Sequence, residues 1–300
     1  MKLFKLFLCF VILVSCKSDP KPNESEEKEL EVQTSLTTNS SNNLNISLLL
    51  DLSDRIDPKK HSNPSMEYYQ RDAAYVNSIA AAFKHNITQK KIILINDKIQ
   101  LFFAPEPSNP KINAFSEKLK FHFTRQNVTN EKLEKFSANY NELPTKIYEL
   151  AISDHHYVGS DTWKFMKDKV EDYCMDENYR NILVIFTDGY IFHKDNLRRE
   201  ENKSTYLTPK YIKNEKLTTS SWQEKYKEEN YGFVPANKNL ENLEVLVLGI
   251  NPNTENDFED DIIKKYWSDW LTNMGVKRFK IYNADLPANL ENVMHDFINP

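Results

Sequence analysis

Two apolar runs end in acid, and together they limit what this chain can fold into. Ile46-Ser47-Leu48-Leu49-Leu50 closes on Asp51, and Ile182-Leu183-Val184-Ile185-Phe186-Thr187 closes on Asp188. Short stretches of aliphatic and β-branched residues read as strands buried on both faces, the situation of a parallel sheet covered by helices. In such sheets ligands bind at the edge formed by the carboxyl ends of the strands, so both aspartates are expected there.

The rest of the chain alternates in the same sense. Tyr69, Ala73, Val76, Ala80 and Phe83 recur at helical spacing, which predicts a helix with one apolar face. Lys91 to Ile95 and Ile99 to Phe103 read as strands around the turn Asn96-Asp97-Lys98, with Pro105, Pro107 and Pro110 ending the second. Helices are expected near Ala114 to Phe123, from Pro144 to Ile152 with the proline in the first turn, and over Asp161 to Tyr173. Leu243 to Leu248 reads as a strand. Ile262, Ile263, Tyr266, Trp267, Trp270, Leu271 and Met274 mark a helix stopped by Gly275, Phe279 to Tyr282 a strand, and Leu286, Leu290, Val293 and Phe297 a terminal helix. The fold class expected is therefore α/β: a doubly wound, mostly parallel sheet with helices on both faces. Residues 193–242 break the rhythm as a long polar insertion containing Tyr206, Tyr211, Trp222, Tyr226, Tyr231 and Phe233. Loops of this length are usually functional or partly disordered; the first makes Tyr206 and Trp222 candidates for partner contact, with packing against the domain as the alternative.

At the other end, Lys2 and Lys5 precede the apolar stretch Leu6 to Val14, which is too short to span a bilayer and has the layout of an export signal over residues 1–15. Leu13-Val14-Ser15-Cys16 resembles the lipobox of bacterial lipoproteins. That resemblance implies cleavage before Cys16 and acylation of its sulfur and amine, palmitate among the acyl chains, which would anchor the protein in a membrane without spanning it. An ordinary secretory signal is the alternative. From Lys17 to Leu44 there is no aromatic residue and no apolar period, so residues 16–44 read as a lipidated start and a tether with a span of roughly 30 Å, leaving 45–300 as the folded domain. The acidic start of the tether loosely resembles the export signals of surface lipoproteins, with a plain solvated linker as the favoured alternative; the expected location is the cell envelope, at the outer membrane and facing either the periplasm or the surface. Cys9 leaves with the signal, so Cys174 has no disulfide partner and stability must come from the core. A net charge of −5 and a pI near 5.9 leave no basic footprint for nucleic acid.

In this order of elements, Asp51-Leu52-Ser53-Asp54-Arg55 and Thr187-Asp188-Gly189 resemble the von Willebrand factor A family. The resemblance implies a metal-ion-dependent adhesion site at the carboxyl edge, built from an Asp-x-Ser-x-Ser motif, a mid-chain threonine and a second aspartate. The matching positions are Asp51, Ser53, Thr162 within Gly159-Ser160-Asp161-Thr162, and Asp188. Ser53 and Thr162 would bind Mg2+ directly, Asp51 and Asp188 would hold its water shell, Asp54 or Ser160 could add an oxygen, and an open position would accept an acidic residue of a protein or peptide partner. Arg55 departs from the motif. It removes the second serine hydroxyl and brings a permanent positive charge, which either weakens the metal site or pairs with an acidic partner itself.

The function expected is a membrane-tethered binding module. One alternative is a metal-dependent hydrolase of phosphoesterase type using Asp51, Asp54 and Asp188 with His155, His156 or His193. Another is a metal-free scaffold with a decayed site, and the plainest is that these residues are turn and cap residues. Five glycines leave little room for a phosphate-cradling loop, and no nucleophile elbow is present.

Overall fold

The computed structural model describes residues 43–157 and 159–300, so the expected signal, lipidation at Cys16 and nearly all of the tether lie outside the described residues. In chain order the elements are β1 (Leu44–Leu50), a 3-10 turn (Asp54–Ile56), α1 (Tyr68–Gln89), a second 3-10 turn (Ile92–Leu94), β2 (Asn96–Phe103), α2 (Pro110–Lys118), β3 (Phe121–Thr124) and α3 (Asn130–Asp154). There follow β4 (Gly159–Ser160), α4 (Thr162–Asp168), α5 (Val170–Cys174), β5 (Arg180–Phe186), β6 (Phe192–His193), β7 (Arg199–Glu200), β8 (Lys203–Ser204), α6 (Pro209–Asn214), α7 (Trp222–Glu228) and β9 (Gly232–Phe233). The last are β10 (Leu243–Ile250), α8 (Glu259–Asn273), β11 (Arg278–Asn283) and α9 (Pro287–Ile298).

Six strands form the central sheet in the order β3-β2-β1-β5-β10-β11. All neighbours are parallel except the edge strand β3, which is antiparallel to β2. The chain lays down β1, β2 and β3 in one direction and then β5, β10 and β11 in the other. The order therefore reverses between β1 and β5, the switch point beside which open α/β sheets leave a crevice at the strand ends.

Side-chain alternation along each strand divides the interior into two cores. Ile46, Leu48 and Leu50 of β1, Ile182, Val184 and Phe186 of β5, and Leu246 and Leu248 of β10 face one side, where α1, α3 and α9 supply Val76, Phe83, Phe136, Ile147 and Met294. Leu49, Leu183, Ile185, Val245 and Val247 face the other, against Trp163 and Met166 of α4 and the apolar stripe of α8. This is the doubly wound arrangement that the sequence pattern predicts.

Several local expectations are corrected. Residues 91–95 form no strand: α1 runs on to Gln89, Ile92–Leu94 is a 3-10 turn, and β2 begins at Asn96. The expected turn residues start a strand because Asp97 is fully buried, its carboxylate accepting the Leu44 N–H at 2.7 Å and pairing with Lys90. The helix expected over 114–123 ends at Lys118, and Phe121 and Phe123 point inward as alternate residues of β3. Pro144 does not start a helix but sits inside α3, which begins fourteen residues earlier at Asn130, where the Thr129 hydroxyl accepts the Lys132 N–H at 3.2 Å. The helix expected over Asp161 to Tyr173 breaks at Lys169, whose backbone is not helical.

The insertion is also not an open loop. It carries β6 to β9 and two helices, and Tyr211, Trp222, Tyr226, Tyr231 and Phe233 enter the second core. Phe233 packs on Trp270 with ring centroids 5.1 Å apart, and the Val234 carbonyl accepts the indole N–H groups of Trp163 and Trp270 at 2.7 and 3.1 Å.

Candidate functional site

The ends of β1 and β5 lie side by side, with Leu50 in register with Phe186, so the next residues of both strands meet at one edge. The Asp51 N–H donates to the Phe186 carbonyl at 3.2 Å, continuing the ladder one residue further. Across the other side of β5, the Thr187 N–H donates to Leu248 at 3.1 Å, and the Asn251 N–H donates to the Asp188 carbonyl at 2.9 Å. Gly189 has φ of +100°, and a Cβ there would fall 2.5 Å from Ile263 Cγ2. A glycine is required for the chain to turn this closely over α8. Trp267 locks the turn by donating its indole N–H to the Gly189 carbonyl at 2.8 Å.

Asp51 is buried, and both its carboxylate oxygens are engaged. Oδ1 accepts the Ser53 N–H at 2.8 Å, the turn geometry favoured by aspartate. Oδ2 lies 3.3 Å from Arg55 Nε and 3.5 Å from the Thr187 hydroxyl. Arg55 is the residue that the motif did not anticipate, and its guanidinium is the hub of the edge. It is 6 % exposed, forms an ion pair with Asp72 of α1, and donates to the Phe186 carbonyl at 3.1 Å. Tyr148 of α3 completes the cluster, donating to Asp72 Oδ2 at 3.2 Å. Burial works against the charge on Arg55, but Asp72 and Asp51 outweigh it and hold the guanidinium above its ordinary pKa. Burial raises the pKa of Asp72, against the pull of Arg55. Asp188 is pushed up to about 7, first by burial and then by the charge of Asp51, with Arg55 and the Tyr190 N–H acting in the opposite sense.

The remaining candidates divide. The Ser53 side chain makes no capping hydrogen bond. Thr162 opens α4 but Asp161 is its cap, accepting the Lys164 N–H at 3.1 Å, while the Thr162 and Ser160 hydroxyls lie 3.3 Å apart. The Asp161 N–H donates to the Ala104 carbonyl at 2.9 Å, which brings this loop to the carboxyl end of β2. Asp54 turns outward to Lys60 at 2.9 Å. His193 faces Asp161 at 3.6 Å, and His155 has a left-handed backbone that ends α3. Among the described residues, no three or more His, Cys, Asp and Glu side chains gather where they could hold a metal ion. Trp222 is 3 % exposed inside the second core, and Tyr206 is half-buried with its ring 5.3 Å from that of Tyr211.

Arg55 alters the donor set that the motif would offer Mg2+. One of the motif's two serine hydroxyls is replaced by a buried guanidinium, both oxygens of Asp51 are committed, and Asp54 is held by Lys60. A hydrated, octahedral ion needs several free oxygens and tolerates little displacement of them. Arg55 supplies the positive charge at this edge from within the chain.

Beside this cluster opens a cleft of about 910 Å³. It is lined by Leu52 after β1, by Pro105, Glu106, Pro107, Lys111 and Ile112 after β2, and by Asp154, His156, His193 and Asp195 from later in the chain. Sequence reading missed the cleft because its walls come from loops far apart in the chain. The one signal was the run of prolines after β2, which read only as a strand end.

No protein-family model matches the sequence, and no curated protein matches it. Among solved structures, the chain is similar to the pilus adhesin SpaC from Lactobacillus rhamnosus GG, with a TM-score of 0.42 and 10% identity over 86% of this chain. It is also similar to an aerotolerance-related membrane protein from Bacteroides fragilis, with a TM-score of 0.39 and 9% identity over 85% of this chain and 98% of that one. The chain spans 30% of the length of the pilus adhesin. What the coordinates establish is an α/β architecture with a mostly parallel six-stranded sheet, compatible with a von Willebrand A-like or Rossmann-like fold.

Proposed function

We propose that this protein is a von Willebrand A-like binding module, tethered to a membrane of the cell envelope through its N-terminus, that holds a protein or peptide partner at the carboxyl edge of its sheet without a divalent cation. The observation that carries this reading is the cleft of about 910 Å³ bordered by the loops after β1 and β2, next to a strand-end cluster in which Arg55 already pairs with Asp51 and Asp72. Pockets at switch points of parallel sheets are where such folds take ligands. A lining that mixes proline and aliphatic side chains with charged ones such as Glu106, Lys111, Asp154 and Asp195 suits an extended peptide segment, whose apolar side chains pack in the groove while its polar groups meet the charges.

Two measurements test it. A photo-crosslinking residue at Ser108 or His156, on the cleft, is expected to give one discrete adduct in cells, whereas one at the exposed Glu224 of α7 gives none. An adduct from Glu224 alone would move binding to the insertion. For the metal, the melting temperature of the wild-type protein is expected not to respond to Mg2+. Arg55→Ser, which restores the second hydroxyl of the motif, is expected to lower the melting temperature and make it rise with Mg2+. A Mg2+ response in the wild type that disappears in Asp51→Asn would refute the cation-free edge.

A further inference from the structure

The turn between α1 and β2 exposes three consecutive apolar residues: Ile92 is 63 % exposed, Ile93 72 % and Leu94 45 %. None of its residues is buried. Single exposed aliphatic residues are ordinary, but three in a row make a patch on the order of a few hundred Å², the size that marks a contact surface. Their position in the fold narrows what that contact is. β1 and β2 are parallel, with Asn45 in register with Lys98, so the turn before β2 lies at the amino edge of the sheet, opposite the Asp51 and Asp188 edge. The described chain also begins there: Lys90 Nζ lies 3.5 Å from the side-chain oxygen of Asn43. The segment that bears Cys16 therefore joins the domain beside the patch. Cationic side chains border it. Lys91 is exposed, and the exposed Arg125 follows Thr124, which pairs with Asn96 at the start of β2.

We propose that Ile92, Ile93 and Leu94 dock on the lipid bilayer in which Cys16 is anchored, so that the domain stands on its amino edge and turns the cleft away from the membrane. This inference rests on the N-terminal anchoring in the reading above. Aliphatic side chains partition into the boundary between headgroups and acyl chains, and Lys91 and Arg125 meet lipid phosphates. Three side chains bind a bilayer weakly alone. A lipid anchor on the same chain makes the contact intramolecular and raises its effective concentration to the millimolar range.

The test uses the full-length, lipidated protein on vesicles of phosphatidylethanolamine and phosphatidylglycerol. An environment-sensitive fluorophore is attached to Ile93→Cys or, as the control, to Phe192→Cys, a residue 44 % exposed on β6 beyond the carboxyl end of β5. Cys174 is buried and does not compete for label. The label at 93 is expected to shift to the blue and to be quenched by iodide about fivefold less than the label at 192, as befits a side chain in the headgroup boundary. Equal quenching in protein that floats with the vesicles overturns the docking and leaves the anchoring intact. Protein that does not float overturns both. Protection of position 93 without vesicles overturns the docking too, because it assigns the patch to another part of the chain or to a second copy.

Discussion

Asp51, Asp72, Asp188 and Arg55 set the electrostatics at the end of β1, and each charge buried there must be answered by another. Arg55 answers Asp51 and Asp72 directly. Asp188 is left with burial and the charge of Asp51 against it, and its carboxyl is held to about 7 instead of 3.8. Between those two pH values the folded chain keeps a proton that the unfolded chain has lost. Stability therefore falls as pH rises from about 4 to about 7, and the loss is complete above. Asp188→Asn removes the ionisation. Because one pKa unit is worth about 1.4 kcal/mol, the variant is expected to exceed wild type by more than ~1 kcal/mol at pH 8 and to match it at pH 4. Urea unfolding at both pH values checks this, and the same offset at both would disprove it. The aspartates themselves were legible as acids closing apolar runs. The role of Arg55 was not, because Asp72 and Tyr148, which hold the guanidinium, are separated from it in sequence and carry no motif.

Strands β5, β10 and β11 are tied together, and to α9, by one buried acid. Glu244 accepts from Arg180 Nε and Nη2 at 2.9 Å each and from Arg278 Nε at 2.8 Å. The same guanidinium groups donate to the carbonyls of Phe297 and Ile298 in the last turn of α9. Those carbonyls have no partner within the helix, and cations at this end also suit its dipole. Burial opposes the charge on Glu244, but the two arginines prevail and hold its pKa below the ordinary glutamate range. The stabilisation is thus present above that range and lost as pH falls through the lowered value. Glu244→Gln is expected to cost about 2 kcal/mol at pH 7, the scale of a charge-assisted buried hydrogen bond, and less in acid; chemical denaturation across pH measures it. The long helices and central strands could be read from their periods, since α1, α8, β1 and β5 each carry one unbroken pattern. The errors fell where a pattern serves two structures. Phe121 and Phe123 alternate as in a strand but read as the end of the helix before them until β2 is known to lie alongside, and Pro144 looks like a helix start only until Phe136 and Tyr140 before it are known to be buried on the same face.

Across the molecule, the sheet separates two cores, and the second is completed by the insertion. Trp222 belongs to that core, its ring 6.2 Å from Tyr226 and edge-on to it. Trp222→Ala is expected to destabilise the whole domain by about 3–5 kcal/mol, the usual cost of removing a buried aromatic side chain. Thermal unfolding tests this, and an unchanged melting temperature would return Trp222 to a surface role. The sequence by itself determined the alternation of buried strands and amphipathic helices, and with it the class of sheet and the edge at which Asp51 and Asp188 stand, because these follow from local hydrophobic periods. Tertiary structure alone decided that Arg55 is the cation of that edge, that the insertion is core, and where the cleft opens. Each of these depends on side chains distant in sequence meeting across the sheet, and no local pattern records which of them will meet.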